Sequence, residues 1–245
     1  MPLIRLEHIE KSYLDGKKKV RVLEDIFFSV YDNDFICVVG PSGCGKSTLL
    51  KLIMGIEEPT KGKIIFNETR RWRISMVFQT FSLLPWLTVF ENVNLALEPY
   101  NLSRAAQHRI VKKYIDVVGL TGFENAYPRQ LSSGMKQRVG IARALVIEPT
   151  VICMDEPFSA LDPLSAEALR RELINLWEDP QLPPQAVIMV THNIEEAIYL
   201  ADRIIVLSHQ PAKVIANLKI DLPRPRNKKS PEFYEILDNI YSLMM

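Results

Sequence analysis

The stretch Gly40-Pro41-Ser42-Gly43-Cys44-Gly45-Lys46-Ser47-Thr48 decides how this chain is read. An unbroken apolar run, Phe35-Ile36-Cys37-Val38-Val39, stands before it. After it comes Leu49-Leu50-Lys51-Leu52-Ile53-Met54, which has helical spacing and stops at Gly55. Between a strand and a helix, the pattern G-x-x-x-x-G-K-[ST] turns successive backbone N–H groups inward and makes an anion nest. The helix start adds its own unpaired N–H groups and the positive end of its dipole. Lys46 then reaches the outer phosphates of a nucleotide, and the Ser47 hydroxyl is suited to Mg2+. Cys44 lies inside the nest and has two readings. A thiolate is favoured there, and its oxidation would block the nucleotide; a small filler side chain is the reading with more weight.

Outward from the loop, the first thirty residues read as a β layer. Ile4 and Leu6 alternate with Arg5 and Glu7, Asp15-Gly16 is a hairpin signal, and strands are expected at 20–23 and 26–30. A strand at 63–66 and a buried-type strand at 74–78 follow, the second ending at Gln79. From 81 to 147 helical spacing dominates, over 89–97, 104–118 and 133–147, and predicts a helical lobe inserted between sheet strands. Residues 150–156 return to a buried strand that closes on Asp155-Glu156. A helix over 163–177 opens with proline at its first turn. A proline-bearing loop spans 179–185, and a strand over 186–191 leads into His192. A short helix at 195–200 and two edge strands at 204–207 and 214–220 follow. Residues 222–230 are proline-rich and basic; within them 224–229 reads as a solvated linker, with a weak attraction to anionic lipid as the other reading, before a last helix at 231–243.

Composition narrows the field. A chain of 245 residues with 47% apolar content is long enough for one domain, or one with an attached lobe. A formal net charge of +1 gives no field that points to nucleic acid. The 3 cysteines stand singly at Cys37, Cys44 and Cys153, which is neither a disulfide framework nor a metal cluster. No signal peptide is evident, and no apolar run approaches the ~18 residues that cross a bilayer. A cytoplasmic protein is expected, with any membrane connection made through a partner.

Four polar groups follow buried-type strands: the phosphate loop, Gln79, Asp155-Glu156 and His192. Ligands of parallel α/β sheets bind beyond the carboxyl ends of strands, so these residues are expected to converge on one nucleotide. Glu156 is the candidate to orient and deprotonate a water, while Asp155 suits the metal's surroundings. Structural readings stand beside these: an ordinary strand aromatic for Tyr13, a salt bridge for Glu156, a buried structural ring for His192. The run Ser82-Leu83-Leu84-Pro85-Trp86-Leu87 is apolar for a loop and reads either as a contact patch or as lobe core.

Leu131-Ser132-Ser133-Gly134-Met135-Lys136-Gln137-Arg138 looks like a family signature, and with the phosphate loop it makes the chain resemble the ATP-binding subunit of ABC transporters over nearly its whole length. Tyr13, Gln79, Ser159-Ala160-Leu161-Asp162 and His192 match that family's aromatic, glutamine, D and histidine loops. The resemblance implies an α/β phosphate-loop NTPase (P-loop NTPase) core with a mixed, mainly parallel sheet, an antiparallel β layer and the inserted helical lobe. One ATPase domain over 1–230 and a C-terminal helix over 231–245 are expected. It implies a Mg2+-dependent ATPase with Lys46, Gln79, Glu156 and His192 as catalytic residues. ATP would be held by Tyr13, Gly40 to Thr48, Ser132, Ser133, Gly134 and Asp162, and Mg2+ by Ser47, Gln79 and Asp155.

Ser132 and Gly134 open a helix and so make a second anion site. In the family it covers the nucleotide of another subunit, so a second copy or a paralogous ATPase subunit is an implied partner. Transmembrane permease subunits are implied too, and indirectly a solute-binding protein, at the cytoplasmic face of the membrane. Ser133 stands where the family usually has glycine; binding is expected to survive and hydrolysis to slow if its side chain holds the pair apart. Leu222-Pro223-Arg224-Pro225-Arg226 resembles tails of the nitrate, sulfonate, taurine and bicarbonate importers, although the stretch before Gln79 is shorter and the loop at 181–185 longer than in that branch. A non-transport ATPase of the same superfamily and a nucleotide-binding regulator without turnover remain as alternatives.

Overall fold

The computed structural model describes residues 1–16, 18–68, 72–180, 182 and 184–244. Two positions of the expected 179–185 loop, 181 and 183, lie outside the described residues, as does residue 245 of the expected C-terminal segment. In chain order the elements are β1 (Ile4–Asp15), β2 (Lys18–Val30), β3 (Asp34–Val39), α1 (Lys46–Ile53), β4 (Lys61–Phe66) and β5 (Ile74–Val77). Then come α2 (Val89–Asn94), α3 (Arg104–Val117), α4 (Ser133–Leu145), β6 (Val151–Asp155) and α5 (Pro163–Glu178). The chain ends with β7 (Ala186–Thr191), α6 (Ile194–Leu200), β8 (Arg203–Leu207), β9 (Val214–Lys219) and α7 (Pro231–Met244). They fall into two compact units, one of Met1–Arg71 with Gln185–Met245, the other Trp72–Pro184.

In the first unit β2, β1 and β4 form an antiparallel sheet in that order. The two strands expected at 20–23 and 26–30 are one strand, β2, kinked at Asp25. The kink is a left-handed residue, φ 52, facing another, His8 with φ 51, and the two side chains meet at 2.6 Å. Gly62 passes this bulge with φ 82; a Cβ there would stand 2.3 Å from the His8 carbonyl oxygen, so only glycine fits.

The second sheet of this unit is built on β3, buried along its whole length. It pairs in parallel with β7 on one side and β8 on the other, and β9 closes the edge antiparallel to β8. Continuous apolar sequence is what a strand with neighbours on both sides and both faces covered requires. β8 is therefore interior, a correction to its expected place at an edge.

A second correction concerns residues 224–229. They are not solvated throughout: Pro225, Asn227 and Lys229 are exposed, but Arg224 and Arg226 reach back to α6. Arg226 is 6% exposed and donates to the carbonyls of Ile198 at 2.6 Å, Ala201 at 2.5 Å, Leu222 at 2.9 Å and Ile220 at 3.3 Å. Arg224 donates to the Leu200 carbonyl and pairs with Asp202 at 2.8 Å. The carbonyls of Ile198, Leu200 and Ala201 are the last of α6 and its exit, which have no partner within the helix. α7 buries Phe233, Leu237 and Ile240 on one face.

The second unit holds the parallel pair β5–β6 and the helices α2 to α5. Thr88 and Glu91 start α2 with a reciprocal capping box. Asn92, fully buried, accepts from the Leu84 N–H at 2.8 Å and donates to the carbonyls of Leu84, Leu87 and Thr88. The apolar loop 84–88 is thereby pinned, and Trp86 stands out from it at 68% exposure. From α4, Arg143 donates to the carbonyls of Ser82 at 2.7 Å and Phe81 at 3.3 Å. Among the described residues no helix is long and apolar enough to cross a membrane.

Candidate functional site

In the first unit the parallel register sets the site. Val39 of β3 is paired with Thr191 of β7, so Gly40 and His192 emerge side by side at the carboxyl ends of neighbouring strands, ~5 Å apart in the pairing direction. The loop from Gly40 to Gly45 curls with φ 74 at Gly43 and φ 117 at Gly45. A Cβ on Gly45 would lie 2.7 Å from Val22 and 2.9 Å from Leu23, so β2 presses on the loop where only glycine leaves room. Pro41 is half-buried; Ser42, Gly43 and Ser47 face solvent; Thr48 is half-buried on α1. Lys46 is 6% exposed, and its ammonium donates to the carbonyls of Gly40 at 2.8 Å and Pro41 at 3.0 Å. A buried cation needs such partners, and they hold it across the loop.

Cys44 is 1% exposed. Burial pushes its thiol up, and the nearby Lys46 charge and backbone N–H groups only partly oppose this. The thiolate reading is corrected: desolvation outweighs the nest's attraction, and Cys44 is a packed filler.

Tyr13, near the end of β1, is 36% exposed. Its hydroxyl donates to Glu57 at 2.6 Å and lies within hydrogen-bonding reach of Thr48. Lys11 places its ammonium 5.0 Å from the ring centroid. Burial first, then the Glu57 hydrogen bond, raises the phenol, while Tyr13 and Lys11 lower Glu57. The tyrosine is thus held as a donor beside the phosphate-loop helix, with its ring at the surface.

His192 is exposed on the turn between β7 and α6, which removes the buried structural ring as an explanation. Sequence reading passed over its neighbours. Thr191 and Glu196 are buried and hydrogen-bonded at 2.8 Å. The spacing Asn193-x-x-Glu196, a polar cap with an acid three residues on, was the available signal.

In the second unit Val77 is paired with Met154. The next residues, Phe78-Gln79 and Asp155-Glu156, leave the same end of the β5–β6 pair. β5 stops at Val77, so exposed Gln79 stands in the segment after it. Asp155 and Glu156 are half-buried. Glu156 has φ 43, a left-handed conformation that costs a non-glycine residue on the order of 1–3 kcal/mol. Its carbonyl accepts from the N–H of Ser159 at 3.2 Å and its hydroxyl at 2.9 Å. This tight turn sends Glu156 away from the strand direction that Asp155 follows.

The signature lies at the start of α4. Ser132 is the N-cap, its hydroxyl accepting from the Met135 N–H at 3.3 Å; Ser133 is exposed at the first helical position. A Cβ on Gly134 would rest 3.5 Å from Ser165. Ser165 is in turn bound by Asp162, which caps α5 by accepting from the N–H groups of Leu164 at 3.1 Å and Ser165 at 3.0 Å. The hydrogen bonds with Ser165, then that with Leu164, lower the Asp162 carboxyl. Asp162 and the signature are therefore neighbours.

A family model described as ABC transporter matches residues 23–159. An aliphatic sulfonates import ATP-binding protein of Bacillus cereus is 42% identical over 95% of this chain and 92% of its own length. A nitrate import ATP-binding protein of Synechocystis is 40% identical over 98% of this chain and 94% of its own. Among solved structures, a dimeric post-hydrolysis state of an ATP-binding cassette bound to ADP and Pi is 31% identical. It covers 90% of this chain and 100% of its own, with a TM-score of 0.76. Sequence likeness over nearly the whole length, on the same fold, places the chain in one family: it belongs to the ABC transporters.

Proposed function

We propose that the protein is the ATP-hydrolysing subunit of a membrane importer for a small anion of the nitrate, sulfonate, taurine or bicarbonate kind. The observation that carries this reading is the β3–β7 register, which sets the phosphate loop beside an exposed histidine. Relatives named for sulfonate and nitrate import support the solute class. Residues 1–230 serve as the ATPase domain, with 81–147 as its helical lobe and 231–245 as a C-terminal segment.

The backbone N–H groups from Gly40 to Gly45, with Lys46, Ser47 and Thr48, take the phosphates. Tyr13 stacks on the base. The hard oxygen donors Ser47, Gln79 and Asp155 fit Mg2+, which prefers a few protein oxygens and keeps water and phosphate for the rest. Bound there, the ion would neutralise charge developing on the phosphates. Glu156 orients and deprotonates the attacking water, and His192 donates to the γ-phosphate. Ser132, Ser133 and Gly134 of a second copy, with Asp162 beside them, complete the nucleotide's enclosure. The protein works at the cytoplasmic face of the membrane, with Trp86 and its loop against permease subunits and a solute-binding protein upstream.

Mg2+-dependent phosphate release from ATP tests this. The parent is expected to turn over. Glu156→Gln, which keeps size and removes the base, is expected to lose turnover by about 100-fold or more while ATP still binds. Equal rates in the two proteins would refute the assignment of Glu156.

A further inference from the structure

His192 is exposed, yet the residues on both sides of it are locked. The Thr191 hydroxyl donates to Glu196 Oε2 at 2.8 Å and accepts from the Asn193 N–H at 3.0 Å. Asn193 Oδ1 accepts from the Glu196 N–H at 3.1 Å. Three hydrogen bonds thus close a ring through residues 191, 193 and 196, and His192 is the residue that the ring leaves outside. Thr191 is 1% exposed and Glu196 7%. A carboxylate so placed is costly to desolvate.

The far end of α6 is held as firmly. Arg226 spans the carbonyls of Ile198 and Ala201, while its other nitrogens reach Leu222 and Ile220. α6 has seven residues, too few to keep a fixed place by its own backbone bonds. Of those seven only Glu195 is exposed. A short helix is therefore clamped at its entrance by a buried acid and at its exit by a buried guanidinium, and the turn it anchors presents the histidine beside the phosphate loop.

We propose that Thr191, Glu196 and Arg226 are positioning residues for His192. The hydroxyl–carboxylate ring sets the turn, and the guanidinium sets the helix on which the ring is built. This rests on the reading of His192 as a γ-phosphate donor. None of the three needs to touch the nucleotide.

The test uses the full chain. Thr191→Val keeps the side-chain shape and removes the hydroxyl; Thr191→Ser restores it. Thr191→Val is expected to lower kcat by about tenfold or more, because small displacements of a reacting group are costly. The ATP dissociation constant from calorimetry stays at the parent value, and Thr191→Ser recovers kcat. The His192 imidazole signal, identified among 4 histidines by its loss in His192→Ala, moves in Thr191→Val and returns in Thr191→Ser. Arg226→Lys keeps the charge without the fork and moves the same signal, so a poorly folding Thr191→Val does not end the experiment.

An unmoved imidazole signal and unchanged kcat in folded Thr191→Val overturn the proposal. So does a fall in kcat matched by an equal loss of ATP affinity, which marks general loosening. If His192→Ala turns over like the parent, the reading of His192 falls by itself. The imidazole signal then decides positioning alone, movement upholding it and stillness overturning it.

Discussion

Cys44 shows how a single residue's surroundings decide its chemistry. Its sequence neighbours are the nest and Lys46, both of which favour a thiolate. The folded loop buries it, and a buried thiol holds its proton. At pH 8 Cys44 is therefore expected to alkylate far more slowly than an exposed cysteine, with its rate still climbing above the pH at which an ordinary thiol levels off. Iodoacetamide labelling across pH, mapped by mass spectrometry, measures this; labelling as fast as a denatured control would contradict it. The same residue marks what sequence reveals at this scale. Gly40, Gly45, Lys46 and Ser47 were legible because one local pattern needs all of them. Thr191 and Glu196 were not, because a hydroxyl's partner is set by which strand end and helix start come together.

Among the elements, the loop before α2 hangs on one side chain. Asn92 satisfies the N–H of Leu84 and the carbonyls of Leu84, Leu87 and Thr88 with no exposure of its own. Asn92→Leu fits the space but leaves buried polar groups unpaired, at roughly 1–3 kcal/mol for each. It is expected to lower unfolding stability by at least about 2 kcal/mol, read from urea denaturation; a loss under about 0.5 kcal/mol would show that the loop holds itself. Helices and strands were legible from their periods: the buried run 35–39 is β3, and the spacing from residue 104 is α3. Arg224 and Arg226 were misplaced because proline and charge mimic an exposed linker. What buries them is a set of α6 carbonyls some 25 residues earlier, and backbone acceptors leave no trace in side-chain pattern. Both sheets' parallel and antiparallel pairings followed the expected class, whereas the interior place of β8 depended on which strands flank β3.

For the whole molecule, the decisive feature is the second anion site proposed at Ser132, Ser133 and Gly134. Its helix start is capped and exposed, and the proposed function has it meet the γ-phosphate brought by another copy. The solved dimeric cassette bound to ADP and Pi has the same fold, which supports pairing of this kind here. The most direct measurement is the solution mass of Glu156→Gln by light scattering after gel filtration, with and without Mg2+ and ATP. Without nucleotide the expected mass is that of one 28.1 kDa chain; with ATP it doubles, and two ATP molecules elute with each pair. A protein that binds ATP fully and still elutes as a single chain would contradict the shared-nucleotide claim.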